Sequence, residues 1–534
     1  MGTSDAPALS LNACISCKSG KRKCNRQRPT CSTCARVGRT CNYEEDSANY
    51  LQGSVTFRSQ SYPATSNDGG FMRSHASSNS GYGYSPERSF NSPAVSVDPF
   101  RHEALRQPTV TVAISTEATR IIGTPEGFQT MASKYFEGPG CRLPIISQVR
   151  FFERLPAILS NPHADFILLC LSMHLLSQPP AMTGQNMQST LYVSVKSHIS
   201  LLEATSFLSL EVIQARLLIT FYEMGHGIHP AATVSIAACA QMSRLLGLNK
   251  KKFQSPDDGY AAKIVAEEEK RVWWAVVNLD RYINLLNGDS LFHTEDPQAE
   301  DHLPMDGTLW AQNTIPDTAP LSLTTPSNIL VRPFARECQI SHLIGRVLRH
   351  VFEPSSDPDF HLQEALQLER TLMAFMPLLI EEQTKFQYYC AALGMCSSAL
   401  FILYESTLLS NKTTNSPAYQ SSLHDSIETT STRICEFSRH LFGDPDAVNF
   451  DTTSPVVIHS LYQAAVVQLR IWREKGEIRN KNSLEGLKTV LGYFNRRWSM
   501  AGRYLEVLEG VGEGVLCAMV PVNGSYVSPN SPGS

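Results

Sequence analysis

Residues 13–43 read ACISCKSGKRKCNRQRPTCSTCARVGRTCNY, and the cysteine spacing in this stretch decides the fold of the N-terminal region. The pattern C-x2-C-x6-C occurs twice, with six residues between the two copies. The six cysteines are Cys14, Cys17, Cys24, Cys31, Cys34 and Cys41. A structural zinc ion prefers four tetrahedral ligands and accepts thiolates readily. Six thiolates can complete two such sites if two of them bridge both metals, so the spacing predicts a two-zinc cluster.

Two other interpretations of the cysteines fit less well. An even number of cysteines could form disulfides, but no charged segment followed by an apolar stretch precedes them, so no secretory signal is predicted. A RING-type or finger-type zinc site would normally include histidine, and residues 1–43 contain none. A thiolate cluster in a reducing compartment is therefore the favoured interpretation.

The same stretch is strongly basic. Residues 13–43 contain eight lysines and arginines and no acidic residue, whereas the whole chain has a net charge of -4, so the remainder sums to -12. Clustered basic residues of this kind neutralise phosphates. The segment between Cys17 and Cys24 concentrates them, and it could also be a solvated charge cluster or a nuclear-localisation patch. Its place inside the cysteine pattern favours DNA contact, with Lys18, Lys21, Arg22 and Lys23 as the candidate residues.

Composition divides the rest of the chain. Within residues 47–108, 27 of 62 residues are Ser, Gly, Pro or Asn, which predicts a disordered linker. We therefore expect a cluster over residues 14–41, a linker over 44–109, a helical body over 110–515 and a flexible tail over 516–534. The expected fold class is mostly α.

Apolar residues at intervals of three and four predict helices in the body. Three stripes carry this prediction: Leu210, Ile213, Leu217, Phe221 and Met224; Val272, Val276, Leu279, Ile283 and Leu286; and Ile340, Ile344, Val347 and Val351. A heptad-like stripe can also mediate coiled-coil pairing, but within a large helical body it more commonly faces the core.

Enzyme and membrane functions find little support. The sequences G-x-S-x-G, H-E-x-x-H and G-x4-G-K-[ST] do not occur, so no catalytic residue is predicted and the protein is expected not to be an enzyme.

The strongly apolar run from Phe166 to Leu176 contains His174 and is shorter than the roughly 20 residues of a membrane helix, so no membrane partner is expected. The competing hypothesis is a helical metabolite-binding or interaction protein whose zinc module does not bind DNA.

The stretch quoted above resembles the fungal Zn2Cys6 binuclear-cluster family over the whole module. The resemblance implies that Cys14 and Cys31 bridge the two zinc ions and that the other four cysteines are terminal ligands. It also implies a proline in the loop between the halves, which corresponds to Pro29.

The family's recognition segment corresponds to residues 18–23. The resemblance implies a short helix whose end enters the major groove of DNA. It implies that Lys21 reads a CGG triplet, since guanine offers two acceptors on its major-groove edge, and that Lys18 and Lys23 hold phosphates. Gly20 departs from the basic residue often found at its position.

Two stretches of the body resemble the fungal-specific transcription-factor domain, also called the middle homology region. EEEKRVWWAVVNLDRYINLLNG, Glu267 to Gly288, is similar to its signature segment. YEMGHGIHPAATVSIAACAQMSRLLGL, Tyr222 to Leu248, is similar to regulators found within secondary-metabolite gene clusters.

The physical interpretation of these stretches is helix packing. Glu268, Arg271, Asp280 and Arg281 are expected to pair along or between helices. Trp273 and Trp274 adjoin the apolar stripe and are expected to pack in the core, with a tryptophan-lined ligand pocket as the alternative. His226 and His229 are expected to be turn residues rather than metal ligands.

The sequence thus predicts a zinc-dependent, sequence-specific DNA-binding regulator of RNA polymerase II transcription that acts in the nucleus. Its expected cofactor is two zinc ions and its expected partner is double-stranded DNA. Further candidate partners are the transcription machinery, a small-molecule effector and a second copy of the chain.

Overall fold

The computed structural model describes residues 12–20, 22–42, 108–182, 184–250, 259–316, 318–326, 329–386, 391–410, 417–441, 443 and 448–510. These residues form two compact units, an N-terminal cysteine-rich module and a helical body. Among the described residues there is no β-strand, and the regular elements are helices. The mostly α fold class is confirmed. The predicted tail and the linker up to residue 107 lie outside the described residues, so those boundaries stay predictions.

The helices are short in the module and long in the body. In chain order they are α1 (Ile15–Ser19), α2 (Ser32–Val37), α3 (Pro108–Ile122), α4 (Pro125–Glu137), α5 (Gln148–Ser160), α6 (Ala164–Leu176), α7 (Thr190–Ala204), α8 (Leu210–Gly225), α9 (His229–Leu245), α10 (Tyr260–Asn287), α11 (Gly307–Ala311), α12 (Pro333–Phe352), α13 (Pro358–Phe386), α14 (Ala391–Ser410), α15 (Pro417–Leu441), α16 (Ile458–Lys475), α17 (Ile478–Asn495) and α18 (Ser499–Gly510).

The three predicted stripes lie on helices α8, α10 and α12, and most of their residues are buried. The hydroxyl oxygen of Ser209 accepts a hydrogen bond from the backbone N–H of Val212 and so caps the start of α8. Helix α8 ends at Gly225, as the sequence predicts, and α9 follows after a turn in which Gly227 has a φ of 70°. That positive φ favours glycine.

One continuous hydrophobic core runs through the body. Helix α6 packs against α3, α4 and α8, and the contacts continue from α8 to α9, α10, α12, α14 and α16. Helix α14 is long and apolar enough to span a membrane, but 83% of its apolar window is buried inside the body. Burial of this kind is typical of the core helix of a globular domain.

Buried ion pairs fix the position of α10. The Arg281 guanidinium donates to the carboxylate of Asp280 (2.8 Å) and to the hydroxyl of Thr294 (2.8 Å). Burial by itself would raise the pKa of Asp280, but hydrogen bonds from His293 and Thr294 and the charge of Arg281 bring it below its ordinary value. Arg271 pairs with Glu267 (2.9 Å), and Glu268 pairs with Arg150 on α5. The expected ion-pair network is therefore present, and it joins α10 to neighbouring segments.

The aromatic and histidine residues singled out in the sequence pack within the body. Trp274 is buried, and its indole N–H donates to the carbonyl oxygen of His302 (2.9 Å), while Trp273 is partly buried against the core. His226 and His229 flank the turn between α8 and α9. His226 is buried, with its Nδ1 3.3 Å from the hydroxyl of Ser499.

Replacing Arg281 by methionine is expected to destabilise the body strongly, because it removes the permanently charged partner of the buried Asp280 carboxylate. Breaking a buried pair in this way costs about 3–5 kcal/mol. Arg120→Met is the matched control: the Arg120 side chain is 69% exposed, and among the described residues its ion pair is with Glu117 on the same helix, so the cost is at most about 1 kcal/mol. Urea unfolding followed by the far-UV helical signal measures both. Equal midpoints for the two variants would contradict the role assigned to Arg281.

Candidate metal centre and DNA-binding segment

The N-terminal module consists of two equivalent halves. Cys14 precedes α1 and Cys31 precedes α2, and each is the N-terminal capping residue of its helix. The backbone hydrogen bonds repeat with an offset of 17 residues: Lys18 N–H to Cys14 O (3.0 Å) and Ala35 N–H to Cys31 O (2.9 Å), then Arg22 N–H to Cys17 O (2.9 Å) and Arg39 N–H to Cys34 O (3.1 Å). The duplicated sequence motif is therefore also a duplicated structure.

Reciprocal hydrogen bonds link the two halves. The hydroxyl of Ser16 in the first half donates to the carbonyl oxygen of Thr40 in the second (2.7 Å). The hydroxyl of Thr33 in the second half donates to the carbonyl oxygen of Lys23 in the first (2.8 Å). These contacts hold the chain that follows each helix, including the end of the basic segment, against the opposite half.

The six cysteines form two sets of four. Within each set the sulfur atoms all lie within 4.8 Å of one another. One set contains Cys14, Cys17, Cys24 and Cys31, and the other contains Cys14, Cys31, Cys34 and Cys41. The two sets share Cys14 and Cys31, whose sulfur atoms are 3.7 Å apart. A zinc–sulfur bond of about 2.3 Å gives tetrahedral sulfur–sulfur separations of about 3.8 Å, so the sulfur positions fit two zinc ions with two shared ligands.

The cysteines are also the interior of the module. Cys14, Cys17, Cys31 and Cys34 are buried, and in residues 12–20 and 22–42 no other residue is. Burial raises the pKa of the Cys14 and Cys31 thiols, which favours their protonated form when no metal is bound. Zinc binds thiolates, so loading the cluster displaces these protons.

The basic segment begins on α1 and continues beyond it. Lys18 lies in the last turn of α1, and Arg22 and Lys23 follow the helix; all three side chains are exposed. Lys21 lies outside the described residues. The sequence predicts a helix over residues 18–23. Helix α1 instead ends at Ser19, and Gly20 is its C-cap. Glycine is a poor helix former, and the chain must turn back so that Cys24 reaches the other cysteines.

Two features of the module were not predicted from the sequence. The Ser16 and Thr33 hydroxyls form the cross-links between halves, and the signal for them is their equivalent position, two residues after the first cysteine of each motif. The peptide bond between Arg28 and Pro29 is cis, in the loop that connects the halves.

Comparison with known proteins assigns both units. Residues 12–50 match the fungal Zn(2)-Cys(6) binuclear cluster domain, and residues 132–376 match the fungal specific transcription factor domain. The chain therefore belongs to the fungal Zn2Cys6 transcription factors: it is a DNA-binding regulator that binds two zinc ions, and it is not an enzyme. Transcription factor BOA15 of Botryotinia fuckeliana (strain B05.10) is 32% identical to it over 166 residues, which are 31% of this chain and 90% of that protein. Both family resemblances found in the sequence are confirmed.

The sharing of Cys14 and Cys31 predicts unequal effects of cysteine replacement. If each set of four cysteines binds one metal, Cys14→Ala or Cys31→Ala removes a ligand from both, so zinc content is expected to fall at least as far as in Cys24→Ala or Cys41→Ala, which each remove a ligand from one. Elemental analysis of the purified variants measures zinc ions per chain. If Cys14→Ala retained both zinc ions and full DNA binding, the sharing would be wrong.

Proposed function

We propose that the six cysteines are the zinc ligands, that Cys14 and Cys31 bridge the two metals, and that the basic segment contacts DNA through Lys18, Lys21, Arg22 and Lys23. The grouping of the sulfur atoms into two sets that share two members supports the ligand assignment. Two Zn2+ ions and six thiolates have a formal charge of -2, which the eight basic residues of this stretch outweigh. The surface of the module therefore attracts phosphates.

The attachment of the basic segment is the observation that carries the DNA-binding proposal. The segment is anchored at both ends by cysteines of one set, Cys17 and Cys24, and the carbonyl group at Lys23 is held by Thr33. The backbone that carries the exposed side chains of Lys18, Arg22 and Lys23 is held in this way before DNA binds, which reduces the backbone entropy lost on binding.

Within the segment the side chains have different tasks. We propose that Lys21 reads guanines of a CGG-type triplet and that Lys18 and Lys23 hold phosphates. The family resemblance supports this division, as does the exposure of Lys18 and Lys23 on either side of position 21. Phosphate contacts set the register on the duplex, and base contacts supply the specificity.

The cellular role follows from the family. We propose that the chain acts in the nucleus as a regulator of RNA polymerase II transcription and controls a secondary-metabolite gene cluster, which the similarity of Tyr222 to Leu248 to such regulators supports. The transcription machinery, a small-molecule effector and a second copy of the chain are the further partners we propose for the helical body.

Lys21→Ala and Lys23→Ala are expected to impair DNA binding in different ways. Lys21→Ala should lower affinity for a CGG-containing site by about 1–3 kcal/mol while leaving binding to a scrambled site nearer its original level. Lys23→Ala should weaken both sites about equally and reduce the slope of log affinity against log salt by roughly one. Binding is measured with the full chain at several salt concentrations.

Arg36→Ala is the matched control for these variants, since Arg36 is an exposed basic residue on α2, outside the segment. It should leave the preference for CGG over the scrambled site unchanged. Zinc content is measured in each variant, so that loss of the cluster is separated from loss of a contact. Equal losses on both sites for Lys21→Ala, with the slope change expected for Lys23, would exclude base reading by Lys21.

Deleting the gene is expected to change the transcripts of one contiguous group of biosynthetic genes, because a cluster regulator acts on neighbouring promoters. Transcript profiling of the deletion strain, complemented with the intact chain or with Cys14→Ala, measures this. The intact chain should restore the pattern and the cysteine variant should not. Changes scattered over unlinked genes would contradict the secondary-metabolite role.

A further inference from the structure

A second group of metal-ligand side chains lies in the helical body, far along the chain from the cysteine cluster. It contains His350 from the last turn of α12 and His361 and Glu364 from the start of α13. One donor atom of each residue lies within 4.8 Å of the donor atoms of the other two. His361 and Glu364 are three residues apart, so they share one face of α13 and both point toward α12.

The three side chains are held in a defined arrangement. His350 is buried, and its Nδ1 is 2.8 Å from the carboxylate of Glu364. The imidazole rings of His350 and His361 are stacked, with their centroids 3.9 Å apart and their planes at 12°. Both imidazole rings therefore lie beside the carboxylate of Glu364.

One buried nitrogen in this group lacks a hydrogen-bond partner among the described residues. Nδ1 of His361 neither accepts nor donates a hydrogen bond to any of them. A buried polar atom without a hydrogen-bond partner destabilises the fold, so a bound ion that supplies the missing partner would be favoured. A neutral imidazole with a free lone pair is the form that binds metals.

We propose that His350, His361 and Glu364 form a third metal site, which takes a divalent first-row transition ion such as Zn2+, Co2+ or Ni2+. Two imidazole nitrogens and one carboxylate oxygen suit these ions, whereas Mg2+ and Ca2+ require oxygen ligands. Three protein ligands leave one tetrahedral position for water. Donor separations in such a site are about 3.3 Å. An imidazole binds a metal in the plane of its ring, so the partly exposed side chain of His361 would rotate out of the stack with His350 when the ion binds.

The proposed metal would join two long helices. Helix α12 packs against α10 and α14, and α13 packs against α14. Residues 353–357 connect α12 to α13. An ion bound by both helices beside this connection would fix the angle between them, and it would stabilise the folded body by an amount that rises with the logarithm of the free metal concentration above the Kd.

Zinc titration of the full chain tests the proposal. The protein, with its cluster loaded, is dialysed against a weak chelator. It is then equilibrated by dialysis with increasing Zn2+, and elemental analysis measures the bound zinc per chain. The wild type is expected to bind a third zinc ion beyond the two of the cluster. His361→Ala and Glu364→Gln should each lower the affinity for that ion by at least about tenfold, since even outer partners of metal ligands contribute 10- to 100-fold.

His424→Ala is the matched control: His424 is an exposed histidine on α15, and the variant should bind the third zinc ion as the wild type does. Far-UV circular dichroism checks the fold of each variant. Because Glu364 is partly exposed, Glu364→Gln removes a proposed ligand and leaves the packing of the buried His350 in place. With Co2+, the third equivalent should add visible absorption without the near-ultraviolet thiolate band of the cluster. Saturation of the wild type at two ions, or unchanged affinity for the third in both variants, would overturn the proposal.

Discussion

Zinc–thiolate bonding is the interaction on which the N-terminal module depends. Within residues 12–20 and 22–42 the only buried side chains are four cysteines, so the module has no hydrophobic core of its own. Chains below about 40 residues seldom fold without metals, disulfides or partners, and helices as short as α1 and α2 are unstable in isolation. Two metals that share Cys14 and Cys31 would therefore supply the folding energy and fix the two halves relative to each other. The position of the basic segment therefore depends on the two metal sites.

The helical body is stabilised in the opposite way, by a large continuous core with a few buried charges. Helices α6, α8 and α14 are buried almost completely. The long helix α10 carries the ion pairs of Arg271 and Arg281, whose buried guanidinium groups also donate to the backbone of the segment that follows the helix. Such pairs add little net stability compared with apolar packing, but losing one partner is costly. They restrict how this following segment can pack against α10, which explains why charged residues occur inside the family's signature stretch.

The cysteine cluster and the helices α8, α10 and α12 could be predicted from the sequence because their signals are local. Ligand spacing and 3.6-residue periodicity are visible in short windows. The sequence of helix α14 shows no apolar stripe, because a helix that is apolar on all sides has no preferred face. The end of α1 at Ser19 was missed because it depends on the return of the chain to Cys24 as well as on the low helix propensity of Gly20, and the position of Cys24 beside the other cysteines is visible only in the folded module. His350 and His361 lie on different helices, so only tertiary packing shows that they meet beside Glu364.

The most direct test of the shared-thiolate cluster is zinc K-edge X-ray absorption on the full chain after dialysis against a weak chelator, which leaves the tightly held metal. If Cys14 and Cys31 bridge two ions, each zinc should have four sulfur neighbours at about 2.3 Å, and scattering from a second zinc should be present. Two isolated sites could not both have four sulfur ligands, because the module offers only six cysteines. Oxygen or nitrogen in the first coordination shell, together with no zinc–zinc scattering, would contradict the account.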